Sequence, residues 1–323
     1  MFKKKRLVLW AFLAAAVYVG WAYGWLYAAV AVGLLVVALG ALALVQYGRA
    51  HAGFKQLTAL APDYQVDALV ARAKAQTPDA SAFTFVALGD TRNKKRITSM
   101  VYKQAATEKP ALVFHTGDIV RHGTAKEYLD NHIALLRHTD PAPMLCVPGN
   151  HERGARRDFG AFKLLYGDDK FAFDFGPCRF VGFNNSRKVR VSEKDLAFVE
   201  RALAESDAPH RFVFMHIPPV FFEDTFSTER RRRGFKENAD RLHALFQKHK
   251  VNEVFMAHIH GYASHEFDGV RYTLTAGGGA PLSKHMAPEA RCYNYVVLHV
   301  TPGGVRREVM RKYPDAEWQR SDS

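Results

Sequence analysis

"VFMAHIHGY", residues 254–262, sets two histidines one residue apart at the end of an apolar run rich in β-formers. Side chains alternate along a strand with period 2, so the pattern predicts His258 and His260 on one face. Alone the pair says little, because the chain has 15 His and most such pairs are solvated or hydrogen-bonded core residues. Its meaning depends on what else arrives at the same edge.

Upstream, apolar β-rich runs alternate with helical patterns. "FTFVAL" (83–88) precedes a helical stretch at 97–108, "ALVFH" (111–115) one at 124–138, and "PMLCV" (143–147) one at 154–165, the rhythm of an α/β domain. "FAFDF" (171–175) and "RFVGFN" (179–184) flank a Gly-Pro turn as in a hairpin, and Ser192 with Asp195 forms a capping box for a helix at 193–205. Further strands are expected at "RFVFM" (211–215), "VNEVFM" (251–256), "RYTLTA" (271–276), "YVVLHV" (295–300) and "VRREVM" (305–310). Mixed sheets with helices outside follow from this order.

The residues that end these strands carry the chemistry. "FTFVAL" runs into Gly89-Asp90-Thr91-Arg92, "ALVFHT" into Gly117-Asp118, "PMLCVP" into Gly149-Asn150-His151-Glu152, "RFVFM" into His216, and "VNEVFMA" into His258 and His260. In open α/β sheets, loops at the carboxyl ends of strands converge although distant in sequence. Two carboxylates, an amide carbonyl and three imidazoles make a mixed oxygen and nitrogen set large enough for two divalent cations, with Asp118 a natural bridge.

In these motifs, "GDTR", "GDIV", "GNHE", "MH" and "AHIH", followed by the Gly-rich "TAGGGAP" (275–281), the chain resembles the calcineurin-like metallophosphoesterase superfamily over residues 83–300. The resemblance implies a metallophosphoesterase-type β-sandwich of mixed sheets flanked by helices. It assigns Asp90, Asp118 and His260 to one metal ion, and Asp118, Asn150, His216 and His258 to the other, the ions being Mn, Fe or Zn. His151 is then a catalytic residue that faces the substrate phosphate, stabilising charge or protonating the leaving oxygen. Glu152 supports a ligand, while Arg121 and His122 lie within reach of substrate. The departure is Arg92, where the superfamily pattern has His, and a guanidinium is a very poor metal ligand. Three roles are open for it: a bidentate clamp on a substrate phosphate, a balance for local carboxylate charge, or the mark of a first metal position too weak to fill unless Asn93 or water substitutes.

The front of the chain is of another kind. Residues 7–48 contain no Asp, Glu, Lys, Arg or His. As one helix they would extend about 63 Å, twice the ~30 Å hydrocarbon core of a bilayer. Two spans, near 7–22 and 26–47, fit better, with "YVGWAYGWLY" as an aromatic turn between them. A signal peptide competes, because Lys3, Lys4, Lys5 and Arg6 resemble its charged start, but the apolar character continues beyond a cleavable segment. The expected organisation is a membrane anchor of two transmembrane helices at 1–48, a juxtamembrane linker at 49–82 with a helix at Gln65–Gln76, a catalytic domain at 83–312 and a tail at 313–323.

Basic residues flank both spans and none lies between, so the positive-inside tendency places the catalytic domain in the cytoplasm of a multi-pass inner-membrane protein. Cys146, Cys178 and Cys292 show no metal-type spacing, which agrees with a reducing compartment. The formal net charge is +13, and basic clusters occur at Arg92–Arg96, Arg153–Arg157 and Arg230–Arg233. They suit solvated surface, anionic membrane lipids, a polyanionic substrate or nucleic acid. In "IPPVFFEDTFSTERRRRG", Phe221, Phe222 and Phe226 accompany the arginines, a combination suited to a bilayer surface and a lipid-linked phosphate ester.

The leading expectation is a membrane-anchored, dinuclear-metal-dependent phosphoesterase, cleaving a phosphate mono- or diester by attack of a metal-bridging hydroxide. A nuclease-like phosphodiesterase of the same fold is the nearest alternative, although no nucleic-acid-binding module is present. A non-catalytic sensor or scaffold, with Arg92 marking a degraded first site, is the third.

Overall fold

The computed structural model describes residues 2–322 except Arg231, and the backbone alone at 2–9, 12, 13, 16, 46, 49 and 50. The side chains of Lys3, Lys4, Lys5, Arg6 and Arg49 therefore lie outside the described residues, as does Arg231 of the basic cluster. The chain divides into two units, residues 1–53 and 54–323.

In the first unit, α1 (Phe2–Tyr23) and α2 (Trp25–Tyr64) are separated at Gly24, which takes φ +94, a conformation natural to glycine. Among the described residues one segment, Trp25–Val45, is long and apolar enough to cross a membrane, with mean hydropathy 2.8. Trp21, Trp25, Leu26 and Leu44 on these helices are exposed.

The second unit starts inside the stretch expected to be a linker. Its helices are the end of α2 and α3 (Val66–Gln76), and Leu57, Leu69 and Ala73 are buried in the main core. The strands then follow the expected order: β1 (Phe83–Leu88), β2 (Leu112–His115), β3 (Met144–Cys146), β4 (Lys170–Phe175), β5 (Cys178–Phe183), β6 (His210–Phe214), β7 (Glu253–Met256), β8 (Tyr262–Phe267), β9 (Val270–Thr275), β10 (Tyr293–Thr301), β11 (Gly304–Lys312) and β12 (Trp318–Asp322). One sheet has the order β12-β11-β10-β1-β2-β3 and the other β4-β5-β6-β7-β9-β8. Strands β1, β2 and β3 are parallel in the first, and β5, β6, β7 and β9 in the second.

The two sheets face one another across a seam of phenylalanines. Phe114 stacks on Phe214 at 4.1 Å between centroids, and Phe85 meets Phe212 at 5.0 Å and Phe180 at 5.1 Å, both edge to face. All are buried, as alternation along half-buried strands requires. Helix α8 (Glu193–Ala204) begins at the expected capping box, with Ser192 Oγ accepting from the Asp195 amide and Asp195 accepting from the Ser192 amide. The helix expected at 97–108 is α4 (Lys95–Ala106), and the one expected at 124–138 is interrupted: α5 (Ala125–Tyr128) passes through a π turn, Leu129–Ile133, into α6 (Ala134–Leu136). The one expected at 154–165 is α7 (Gly160–Tyr166), preceded by a 3-10 turn, Asn150–Arg153. Helix α10 (Ala239–Lys248) and strands β8 and β12 were not foreseen, and β12 occupies the supposed tail. The three cysteines are buried and unpaired.

A polar tie joins the sheets on one side. Arg307 on β11 donates to Glu253 on β7 at 2.9 Å, and to Tyr262 and Thr273 at 3.0 and 3.1 Å. Thr273 also donates to Glu253 at 2.6 Å, and Arg307 and Glu253 are both buried. Glu253→Ala removes the buried carboxylate that faces this guanidinium, so it is expected to lower the unfolding free energy by about 3–5 kcal/mol. Urea unfolding of the variant against the parent, followed by circular dichroism, measures this; a loss below about 1 kcal/mol contradicts the tie.

Candidate metal centre

The carboxyl ends of β1, β2 and β3 in one sheet, and of β6 and β7 in the other, open onto one rim. All six expected ligands meet there. Asp90 follows β1, Asp118 follows β2, Asn150 opens the turn after β3, His216 follows β6, and His258 and His260 follow β7. Two groups have ligand atoms within 4.8 Å of one another: Asp90, Asp118 and His260, and Asp118, His216 and His258. Asn150 Oδ1 lies 3.3 Å from His216 Nε2, beside the second group.

The histidine pair reaches the site by a route other than strand alternation. β7 ends at Met256, and His258 adopts φ +76 in the loop beyond it. Asp90 (φ +59) and Asp118 (φ +55) are also left-handed. That conformation costs a non-glycine residue on the order of 1 kcal/mol, so the loops must be held by their own hydrogen bonds. The amide of Asp90 donates to Gly117 O at 3.0 Å, that of Arg92 to Asp118 O at 3.0 Å, and that of His258 to Asp90 Oδ2 at 2.7 Å. Gly149 is required by the close approach of two loops, because a Cβ there would lie 2.3 Å from Asp118 Oδ1.

Beneath the ligands sits Glu152, fully buried, which accepts from the amides of Asp118 (2.8 Å), Val120 (3.0 Å) and Gly149 (2.7 Å). It thus fastens the loop after β2 to the loop after β3, the supporting place expected of it. Asn185, at the end of β5, does the same for His216: its Oδ1 accepts from the amides of His216 and Ile217 at 3.1 and 3.0 Å, and its Nδ2 donates to Ile217 O at 2.7 Å. The sequence reading passed over Asn185, although its place at a strand end was the available signal. The Gly-rich stretch closes the rim, with Gly278 and Ala280 amides on the carbonyls of Gly89 and Asp90.

The imidazole tautomers follow from their partners. A carbonyl only accepts, so His216 Nδ1–H donates to Thr116 O (2.8 Å), His260 Nδ1–H to Pro281 O (2.7 Å), and His151 Nδ1–H to Arg121 O (2.7 Å). In that tautomer the neutral form of each ring carries its lone pair on Nε2. His216 Nε2 lies 3.4 Å from Asp118 Oδ1, and His260 Nε2 lies 3.2 Å from Asp90 Oδ1, a buried oxygen with no hydrogen-bond donor. Lone pair facing lone pair at these distances is the geometry a cation relieves, and the oxygen and nitrogen donors suit a borderline divalent metal.

The charges at the rim are strongly linked: burial pushes His260 down, but Asp90 outweighs it and holds the imidazole above its ordinary value. Burial pushes the Asp90 carboxyl up, but His260, His216 and the His258 amide outweigh it and hold it well below the usual carboxylate range. Asp118 is raised, by burial and by the neighbouring Asp90. Glu152 is also raised, by burial and then by Asp118.

His151 lies at the rim, half-buried, its Nε2 3.8 Å from Asp118 Oδ2. Arg92 Nη1 lies 3.1 Å from His260 Nε2. His122 pairs with Glu127 at 2.8 Å and is exposed, and Arg121 lends its carbonyl to His151. His115, given no chemistry from sequence, is buried behind the ligands. Its Nδ1 accepts from the Gly117 amide at 3.2 Å and its Nε2 faces Thr91 Oγ1 at 3.3 Å, while burial pushes it down to about 3.

The loop expected to meet a bilayer turns its aromatics inward. Phe222 is fully buried, Phe221 packs edge to face on Phe267 and Tyr272, and Phe226 packs on Phe222. Arg232 and Arg233 pair with Asp224 and Glu229. The apolar residues of this loop are therefore committed to the core, because α9 (Val220–Glu223) packs Phe221 and Phe222 against Tyr272 of β9.

The description of calcineurin-like phosphoesterases matches residues 83–262. Over 123 residues the chain is 31% identical to a probable glycerophosphodiester phosphodiesterase, GpdQ, of Arcobacter nitrofigilis; the match covers 35% of this chain and 43% of that protein, less than half its length. Among solved structures, the purple acid phosphatase PPD1 of yellow lupin (Lupinus luteus) seeds is similar with TM-score 0.60 at 17% identity, over 74% of this chain and 53% of that one. GAP50, the anchor in the inner membrane complex of Plasmodium, is similar with TM-score 0.55 at 13% identity, over 75% and 89%. Both are likenesses of fold.

Glu152→Gln turns an amide N–H toward one of three backbone N–H donors. Because a partner of this kind orients the ligands, metal affinity is expected to fall about 10–100-fold. Titration of the chelator-stripped variant with Mn²⁺, with circular dichroism unchanged, is the check; unaltered affinity contradicts the buttressing role.

Proposed function

The chain belongs to the calcineurin-like phosphoesterase family, and we propose that it hydrolyses a phosphate ester in a dinuclear-metal-dependent reaction while anchored to a membrane. One observation carries the proposal: at two adjacent points an imidazole lone pair faces a carboxylate oxygen, at 3.4 and 3.2 Å. Asp118, Asn150, His216 and His258 would hold one ion, and Asp90, Asp118 and His260 the other. Bound there, the ions would supply Lewis-acid polarisation of the phosphate and a nucleophile from water near neutral pH.

The remaining chemistry belongs to side chains. His151, its Nδ1 fixed by the Arg121 carbonyl, holds Nε2 at the rim, 3.8 Å from Asp118 Oδ2, where a phosphate on the ions would come within its reach. Protonated there, it stabilises developing charge and can give its proton to the leaving oxygen. Arg92 faces the same opening with a permanent positive charge. The name of the curated relative makes a phosphodiester the first substrate class to try. Wild-type hydrolysis of a chromogenic phosphodiester is expected to need added Mn²⁺, Zn²⁺ or Fe²⁺ and to stop with chelator. His151→Ala is expected to lower turnover by about 10²–10⁴-fold at unchanged metal content. Equal loss of metal and activity contradicts the role.

For the anchor we propose two spans with the catalytic domain in the cytoplasm. The hydropathy of Trp25–Val45, the break at Gly24, and basic residues at both outer ends of the apolar front support this. A phosphatase reporter active only outside the cytoplasm, fused to the C-terminus, is expected to stay silent. Strong reporter activity contradicts the sidedness and leaves one span.

A further inference from the structure

Deepening the metallophosphoesterase proposal, on which this inference rests, we propose that Arg92 is a built-in cation at the first of the two metal positions. The centre then binds one ion tightly, through Asp118, Asn150, His216 and His258, and a second only weakly.

His260 has one lone pair to offer, because its Nδ1–H is committed to Pro281 O at 2.7 Å. Arg92 Nη1 stands 3.1 Å from that lone pair on Nε2. One lone pair serves a hydrogen-bond donor or a metal ion, not both. Arg92 is brought there by its backbone rather than by a flexible reach: its φ is +43, its amide donates to Asp118 O at 3.0 Å, and the preceding Thr91 hydroxyl donates to Ile119 O at 2.9 Å. Its neighbour Asn93 is held by its Nδ2, which donates to Glu127 at 2.7 Å, and leaves only a neutral amide Oδ1, buried and without a hydrogen-bond partner, where the superfamily pattern has an imidazole.

Charge points the same way. Asp90 and Asp118 are the two buried carboxylates of the ligand set, and one divalent ion balances them. The guanidinium already adds a positive charge, so a second divalent ion enters against it. The other position differs in kind: Arg233 acts on His258 through its charge but is paired with Glu229 at 3.0 Å, and among the described residues no guanidinium or ammonium is hydrogen-bonded to His216 or His258, while Nε2 of His216 faces Asp118 and Asn150. A guanidinium carries five N–H donors, so Arg92 can hold His260 and still offer a parallel pair to phosphate oxygens. It thereby supplies, as a fixed charge, part of what a second ion supplies elsewhere.

The test uses the full-length chain in detergent micelles, stripped with chelator and titrated with Mn²⁺, with binding followed by electron paramagnetic resonance. The wild type is expected to take one tight equivalent with an uncoupled spectrum. Arg92→His is expected to take two, with the spin-coupled signal of adjacent ions. Arg92→Gln, which removes the charge without adding an imidazole, is expected to tighten the second equivalent by about tenfold or more. Two equivalents of comparable affinity and coupled spins in the wild type overturn the inference, as does a second equivalent that both variants leave unchanged. No tight equivalent in the wild type overturns the metallophosphoesterase proposal and this inference together.

Discussion

Aiming two buried carboxylates and several imidazole lone pairs at one small volume is electrostatically unfavourable, and much of the rim serves to enforce it. Glu152 holds three amides, Asn185 holds two, and the carbonyls of Thr116, Arg121 and Pro281 each fix one imidazole. Nearly all these bonds end on backbone, which cannot rotate away as a side chain can. The left-handed conformations of Asp90, Asp118 and His258 persist because all three amides, and the carbonyls of Asp90 and Asp118, are engaged. A centre built so needs no ligand-induced rearrangement of its loops.

The convergence itself comes from the sheets. Parallel strands present their carboxyl ends together, and the two sheets lie face to face with those ends at a common rim. The phenylalanine seam sets that alignment, since Phe85, Phe114, Phe212 and Phe214 sit on the strands that deliver ligands. The helical segment before β1 belongs to the same construction through Leu57, Leu69 and Ala73.

How far this was legible in the sequence depends on the kind of signal. Strand cores announced themselves through runs of β-formers, and ligand candidates through the polar residues that stopped them, because a buried strand must end before it can turn. The histidine pair was located for the wrong reason: the strand ends at Met256, and the rings converge through a left-handed loop residue that no period-2 pattern describes. Strand β8 was missed because Ser264, His265 and Glu266 read as loop, and β12 because an outer strand of "WQRSD" has no apolar alternation. The inward packing of Phe221, Phe222 and Phe226 was equally hidden, since an aromatic beside arginines looks alike whether it faces lipid or core. Asn185 escaped because its work is done through amides of another strand's loop.

The six expected ligands are drawn from residues 90 to 260 and from both sheets, so neither sheet alone contains a complete binding set. Any ion they hold therefore distinguishes the native state from every partly unfolded one, and its occupancy is thermodynamically linked to global folding rather than to local loop order. Each tenfold excess of free ion over its dissociation constant adds about 1.4 kcal/mol to the stability of the whole domain. With an ion held there the rim would act as a clamp between the two halves of the sandwich, and loss of the ion would loosen strands that lie far from it.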